Sequence, residues 1–255
     1  MDGALAAETR ALLASARAWL SELVEEGVDA FPRTPPPARA APPAAEAGGA
    51  GRLDLAFAPD PGPATLRPTL AQVREQLGEC TRCRLCEGRT QIVFGDGDPR
   101  AALMFIGEGP GETEDLRGLP FVGRAGELLT QMIEKGLGIP RRDVYICNIV
   151  KCRPPKNRTP LSDEVASCRP FLDGQIDAVQ PRVIVALGKP AASLLLGRDV
   201  AITRARGTWH SYRGIPLMPT FHPAFVLRQY TAENRRLVWD DLKAALERSR
   251  RTDPT

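Results

Sequence analysis

Four short apolar runs, residues 101–106, 144–149, 183–187 and 215–220, carry no polar alternation, the pattern of strands buried on both faces of a parallel sheet. Helix-like segments lie between them. Residues 127–137 are amphipathic, Ser162 ahead of Asp163 and Glu164 is expected to cap a helix running to about Val179, Pro190 opens a short helix through Leu195, and residues 233–248 close the chain. Strand and helix in alternation predict an α/β fold with a doubly covered sheet. Upstream, Leu12, Leu13, Ala16, Leu20, Leu23 and Val24 recur at three- and four-residue spacing and predict a helix over 5–28. Pro32, Pro35, Pro36, Pro37, Pro42 and Pro43 with Gly48, Gly49 and Gly51 then form a linker that cannot continue it. The expected organisation is a helical extension over 1–30, a Pro/Ala/Gly-rich linker over 31–65 and a folded body over 66–255. The extension is either a weakly packed, partner-docking helix or an incidental one.

Composition changes this picture little. The chain has 255 residues, enough for one sizeable domain and an appendage, and its 43% hydrophobic content suits a globular core. No apolar run reaches membrane-spanning length, and the N-terminus lacks the basic region of a secretory signal, so a cytoplasmic protein with no membrane partner is expected. Charge is uneven: the first 65 residues hold five Arg and nine Asp or Glu, a net −4 that leaves +7 on the rest within the overall +3. A basic body suits a polyanionic partner, although an ordinary solvated surface explains much of it.

The chemistry concentrates where the first strand empties into a turn. From Gly107-Glu108-Gly109-Pro110-Gly111 through Glu112, Glu114 and Asp115 to Gly118, Pro120, Phe121, Gly123 and Gly126, glycines and carboxylates crowd the end of a buried strand, the place where open α/β sheets bind ligands. A dinucleotide fingerprint is excluded because Glu112 stands where its third glycine belongs, and a P-loop because no Gly-Lys-Ser/Thr follows. A merely tight turn would account for two glycines but not for the rest of the run.

Six cysteines in a cytoplasmic chain argue against a disulfide framework. Cys80 and Cys83 form a Cys-x-x-Cys pair, and Cys152 and Cys168 flank a loop rich in Pro and Arg, so four thiolates are able to converge on a metal. Zinc and an iron-sulfur cluster both accept such a set; Lys151, Arg153, Arg82 and Arg84 nearby tilt the balance toward an anionic cluster. Cys86 is as well spaced from Cys83 as Cys80 is, and Cys147 lies within an apolar strand as a small core residue.

Several motifs in order, Gly107-Glu108-Gly109-Pro110-Gly111, Glu114-Asp115, Gly118-x-Pro120-Phe121-Val122-Gly123-x-Ala125-Gly126, Asn148 through Pro155, Asn157-Arg158 and Phe221-His222-Pro223-Ala224, resemble the family 4, iron-sulfur uracil-DNA glycosylases. The resemblance covers about 77–246 and leaves the N-terminal head outside. It implies a three-layer α/β/α fold around a four-stranded parallel sheet, a monomer, a structural [4Fe-4S] cluster on Cys80, Cys83, Cys152 and Cys168, and excision of uracil from single- or double-stranded DNA. A repair or replication protein is the partner expected for the N-terminal helix.

Chemistry then suggests roles. Base excision needs a base flipped into a pocket that reads its edge. Gly107 and Gly109 admit it, Phe121 either stacks on it or is a core residue, and Asn148 is able to accept from uracil N3–H while donating to O4. Thymine must be refused by bulk, with a tight 111–115 loop as the wall and Glu114 crowding C5. His222 is expected to donate to uracil O2 as the ring gains charge, whereas His210 sits in a polar turn beside Trp209. For the water, Glu108 and Glu114 rank ahead of Asp115, since better-known uracil glycosylases place an aspartate where this chain has Gly109. Leu227 and Arg228 are either a wedge and phosphate grip for DNA or an ordinary helix start. Two rivals remain: a non-catalytic, metal-stapled DNA-binding module, and a relative that traps uracil-DNA covalently through a loop histidine, which this chain lacks.

Overall fold

The computed structural model describes residues 67–251, all within one compact unit. The helix and linker expected before residue 66 lie outside the described residues. The order is α1 (Leu70–Leu77), β1 (Asp96–Gly97), β2 (Leu103–Gly107), α2 (Glu112–Arg117), α3 (Arg124–Gln131), β3 (Tyr145–Asn148), α4 (Ser162–Val179), β4 (Val183–Leu187), α5 (Lys189–Leu196), α6 (Ile202–Ala205), β5 (His210–Tyr212), β6 (Ile215–Thr220), α7 (Pro223–Arg228) and α8 (Ala232–Arg250).

The sheet runs β1-β3-β2-β4-β6-β5. Its four central strands, β3, β2, β4 and β6, are parallel and are the four that the apolar runs predict. Strands β2, β3 and β4 are buried at every residue, as a sheet covered on both faces requires. Helix α8 packs on β2, β4 and β6, while α5 packs on β2, β4 and β5.

The sheet has six strands rather than four, because an antiparallel strand is added at each edge. β1 has only two residues and no apolar pattern to announce it. β5 joins β6 through Arg213 and Gly214, whose φ values of 50° and 83° give the left-handed turn that matches hairpin twist. His210 therefore belongs to a strand, paired with Leu217, and not to a polar turn.

Three local features also differ from expectation. Ser162 begins α4 rather than capping it: Leu161 is the cap residue, and its N–H donates to the Glu164 carboxylate, which also receives two bonds from Arg158. The stretch after Gly111 is the helix α2, not a loop. The helix expected from residue 127 begins at Arg124 and is prolonged by a π turn over Met132–Leu137. Helix α1, which no strong pattern signalled, caps itself through Thr69 and Gln72 and packs Val73 and Leu77 against Phe171 of α4.

Candidate active site

The parallel strands deliver their C-terminal ends to one edge of the sheet. Gly107 ends β2, Asn148 ends β3 and pairs with it in register, Gly188 follows β4, and His222 follows β6. This is where doubly wound sheets bind ligands.

Packing there is tight enough to dictate residue type. A Cβ on Gly107 would stand 2.5 Å from Asn148 Oδ1 and 2.7 Å from Phe121 Cε2, so only glycine fits. Gly126 is required for the same reason, because a Cβ there would overlap the Phe121 backbone. Phe121 is buried and adopts φ +52°, an unusual conformation for an aromatic residue. Its turn is held from both sides: Glu114 Oε1 accepts the N–H groups of Val122 and Gly123 at 2.9 and 2.7 Å, and Arg141 donates to Pro120 O at 2.7 Å and to Thr130 Oγ1 at 2.9 Å. Asn148 Oδ1, by contrast, is buried with no hydrogen-bond partner. A buried acceptor without a donor is costly unless a ligand supplies one.

His222 lies with its ring 5.6 Å from that of Phe121. Its Nδ1 accepts the Ala224 N–H at 3.1 Å, which leaves Nε2 as the protonated nitrogen of a neutral ring. Burial, with the Arg228 charge adding to it, lowers its pKa to about 4. At neutral pH it is a donor without charge. The strand that carries it is fixed by Thr220, whose hydroxyl donates to Asp241 of α8 at 2.6 Å, while Arg206 spans Asp241 and the Leu237 carbonyl.

The three candidate carboxylates have different surroundings. Glu108 is half-buried, receives a hydrogen bond from Thr159, and burial raises its pKa. Glu114 is engaged by the Phe121 turn. Asp115 is buried and accepts the Thr90 N–H at 2.9 and 3.0 Å and the Gln91 N–H at 3.4 Å. Its oxygens are therefore committed to backbone amides, whereas a water activator needs an approachable oxygen.

Cys80, Cys83, Cys86, Cys152 and Cys168 line one pocket, together with Lys151 and Glu164. All are free thiols, while Cys147 is buried in β3, in keeping with a core residue. Burial raises the pKa of Cys83, Cys168 and Cys152, the last to about 11. Arg89 donates to Cys152 Sγ and Arg82 to Cys80 Sγ, both at 3.3 Å. Lys151 is fully buried, and its ammonium donates to Asn148 O at 2.7 Å and Gln175 Oε1 at 2.5 Å. Among the described residues no three His, Cys, Asp or Glu side chains close on a single ion. Thiols beside Lys151, Arg82 and Arg89 are a donor set that could hold a metal ion or an iron-sulfur cluster.

Leu227 and Arg228 form the last turn of α7, not its start; Leu227 packs half-buried on the core and Arg228 is exposed. Sequence reasoning passed over Arg89, Arg141, Gln175 and Asp241, whose side-chain partners lie between 9 and 81 residues away, and over Tyr230, an exposed aromatic under the Arg235 guanidinium.

Comparison with known proteins agrees with this geometry. Residues 94–243 match the model of the uracil DNA glycosylase superfamily. A type-4 uracil-DNA glycosylase of Thermotoga maritima is 49% identical over 175 residues, 68% of this chain and 91% of that protein. One from Sulfurisphaera tokodaii is 43% identical over 187 residues, 70% of this chain and 84% of that protein. A type-5 uracil-DNA glycosylase of Pyrobaculum aerophilum is 34% identical over 144 residues, half of this chain and 63% of that protein. The strand ends that carry Gly107, Asn148 and His222 lie inside the matched residues, and the chain belongs to the uracil-DNA glycosylase superfamily and, within it, to the type-4 family.

Proposed function

We propose that the protein excises uracil from DNA by hydrolysing the N-glycosidic bond and leaving an abasic site. The observation that carries this reading is Asn148: a buried side-chain oxygen with no donor, pressed against Gly107 and next to an aromatic face, is what a flipped uracil would satisfy through N3–H. The Asn148 amide nitrogen donates to O4. Cytosine, with an acceptor at N3 and a donor at C4, would leave both unpaired, a loss of about 1–3 kcal/mol per group.

In the reaction the C1′–N1 bond breaks with its electron pair leaving on uracil, and a water oxygen bonds to C1′ and loses a proton. Neutral His222 donates from Nε2 to O2 as the base becomes anionic, without having to give up a charge first. Glu108 is the carboxylate that orients or deprotonates the water: it is not held by backbone amides, and its raised pKa suits a base. Gly107 and Gly109 give the base room. Phe121 stacks on it. Glu114 crowds C5 against thymine while it clamps the Phe121 turn.

Cys80, Cys83, Cys152 and Cys168 hold a [4Fe-4S] cluster whose charge is offset by Lys151, Arg82 and Arg89. The cluster would serve as a staple, since hydrolysis transfers no electron. DNA as substrate and six unpaired cysteines suit a reducing, cytoplasmic compartment. Arg228 grips a phosphate beside the pocket, with Leu227 as the wedge behind the flipped base. The protein acts as a monomer, and its N-terminal extension is the element offered to a repair or replication partner.

The test is incubation with uracil-containing single- and double-stranded oligonucleotides, reading abasic sites alongside the visible iron-sulfur absorbance. Intact absorbance without excision would favour the rival reading, a metal-stapled DNA-binding module.

A further inference from the structure

Asp115 is a buried carboxylate on α2, the helix that also carries Glu114. The donors it accepts from belong to a strap, residues 89–91, whose other end is fastened at the thiol pocket. Arg89 Nη1 donates to Cys80 O at 2.5 Å and to Cys152 Sγ at 3.3 Å. The next two residues give their N–H groups to Asp115, and the Gln91 side chain also donates to Leu116 O. Beside Asp115 on α2, Glu114 holds the N–H groups of Val122 and Gly123, directly after Phe121. A second tie runs from the same pocket: Lys151, next to Cys152, bonds the backbone oxygen of Asn148. Both residues proposed to hold the base are thus hydrogen-bonded, in a few steps, to the segments that carry the thiols.

We propose that Asp115 is a positioning residue that couples the thiol pocket to the uracil pocket through the 89–91 strap. This rests on the cluster and uracil assignments above. If the strap shifts with the thiols, its amides leave Asp115 buried and unpaired, which costs enough that α2 must follow. Helix α2 carries Glu114, and Glu114 fixes a turn whose φ of +52° at Phe121 does not hold itself. Coupling of this kind is reciprocal: a filled thiol pocket stiffens the Phe121 turn, and a base in the pocket protects the cluster.

The experiment uses the full-length holoprotein, as wild type, Asp115→Asn and Arg89→Lys. Asp115→Asn keeps the size of the side chain but weakens its hold on two amides. Arg89→Lys keeps the charge beside the thiols but cannot span the Cys80 carbonyl and Cys152. Decay of the iron-sulfur absorbance under an iron chelator is followed with and without free uracil, with thymine as control, and single-turnover excision and Tm are measured on each protein. Uracil should slow decay about threefold or more in wild type, and this protection should vanish in both variants. Excision should fall about tenfold or more in both while Tm changes by only a few degrees. Arg89→Lys reads the same coupling should Asp115→Asn fail to fold. Absence of protection in wild type overturns the proposal, as do variants that keep both protection and full excision. A wild-type protein that neither absorbs nor excises would instead overturn the functional reading, and the coupling with it.

Discussion

Asn148 Oδ1 lies 2.5 Å from the point where a Cβ on Gly107 would begin, so the end of β2 and the amide at the end of β3 share a space that admits no methyl group. Gly107→Ala should therefore push Asn148 and Phe121 aside. Overpacking of this kind costs about 1–3 kcal/mol of stability, and a displacement near 1 Å costs on the order of 10²-fold in excision. Thermal unfolding and single-turnover rates on uracil-DNA measure the two.

Removing the amide proposed to read uracil tests recognition separately from packing. Asn148→Ala should lower kcat/KM on uracil-DNA by about 1–3 kcal/mol for each hydrogen bond lost, with little loss of fold, because its Oδ1 has no partner within the protein. The check is kcat/KM beside a melting curve.

His222 should remain neutral down to about pH 4. Imidazole NMR shifts would report this, with the proton on Nε2. The native state binds fewer protons than the unfolded chain between pH 4 and the ordinary 6.5, so this group contributes stability above 6.5 that is lost as pH falls toward 4. The contribution is at most about 3 kcal/mol and should disappear in the pH dependence of His222→Gln unfolding.

Glu108 predicts the acid limb of activity. The carboxyl pKa is raised above the usual 4.5, and the proposed base role needs the ionised form, so excision should fall as pH drops through a midpoint above 4.5, before His222 titrates. Glu108→Gln should remove that limb and reduce the rate about 10²–10⁴-fold. A pH–rate profile of single-turnover excision gives both results.

The five pocket cysteines should separate by iron content. Serine at Cys80, Cys83, Cys152 or Cys168 should lose visible absorbance and bound iron, and Cys86→Ser should keep both. Since a bound group stabilises the state that binds it, the first four variants should also melt earlier. Iron analysis, absorbance and Tm on purified proteins provide the measure.

Each central strand could be read as a contiguous run because burial on both faces leaves no polar interruption. The edges could not, since two residues such as Asp96 and Gly97 carry no pattern and His210 pairs only because Arg213 and Gly214 turn the chain back. The helix α2 was hidden for a similar reason: Glu112–Arg117 is short, acidic and nearly devoid of buried apolar residues, so periodicity had nothing to report.

Residue chemistry and spacing alone determined that glycines, an amide, an aromatic ring, a histidine and thiols were present at strand ends and in a cysteine pair. Only the tertiary structure decided which of them are at liberty to act. Asp115 and Glu114 look alike in sequence beside Glu108, yet one is consumed by Thr90 and Gln91 and the other by Val122 and Gly123. Their amide partners lie 8 to 25 residues away, and a side chain's hydrogen-bonding capacity is shared with whatever the fold brings to it. Sequence shows the capacity, and packing decides where it goes.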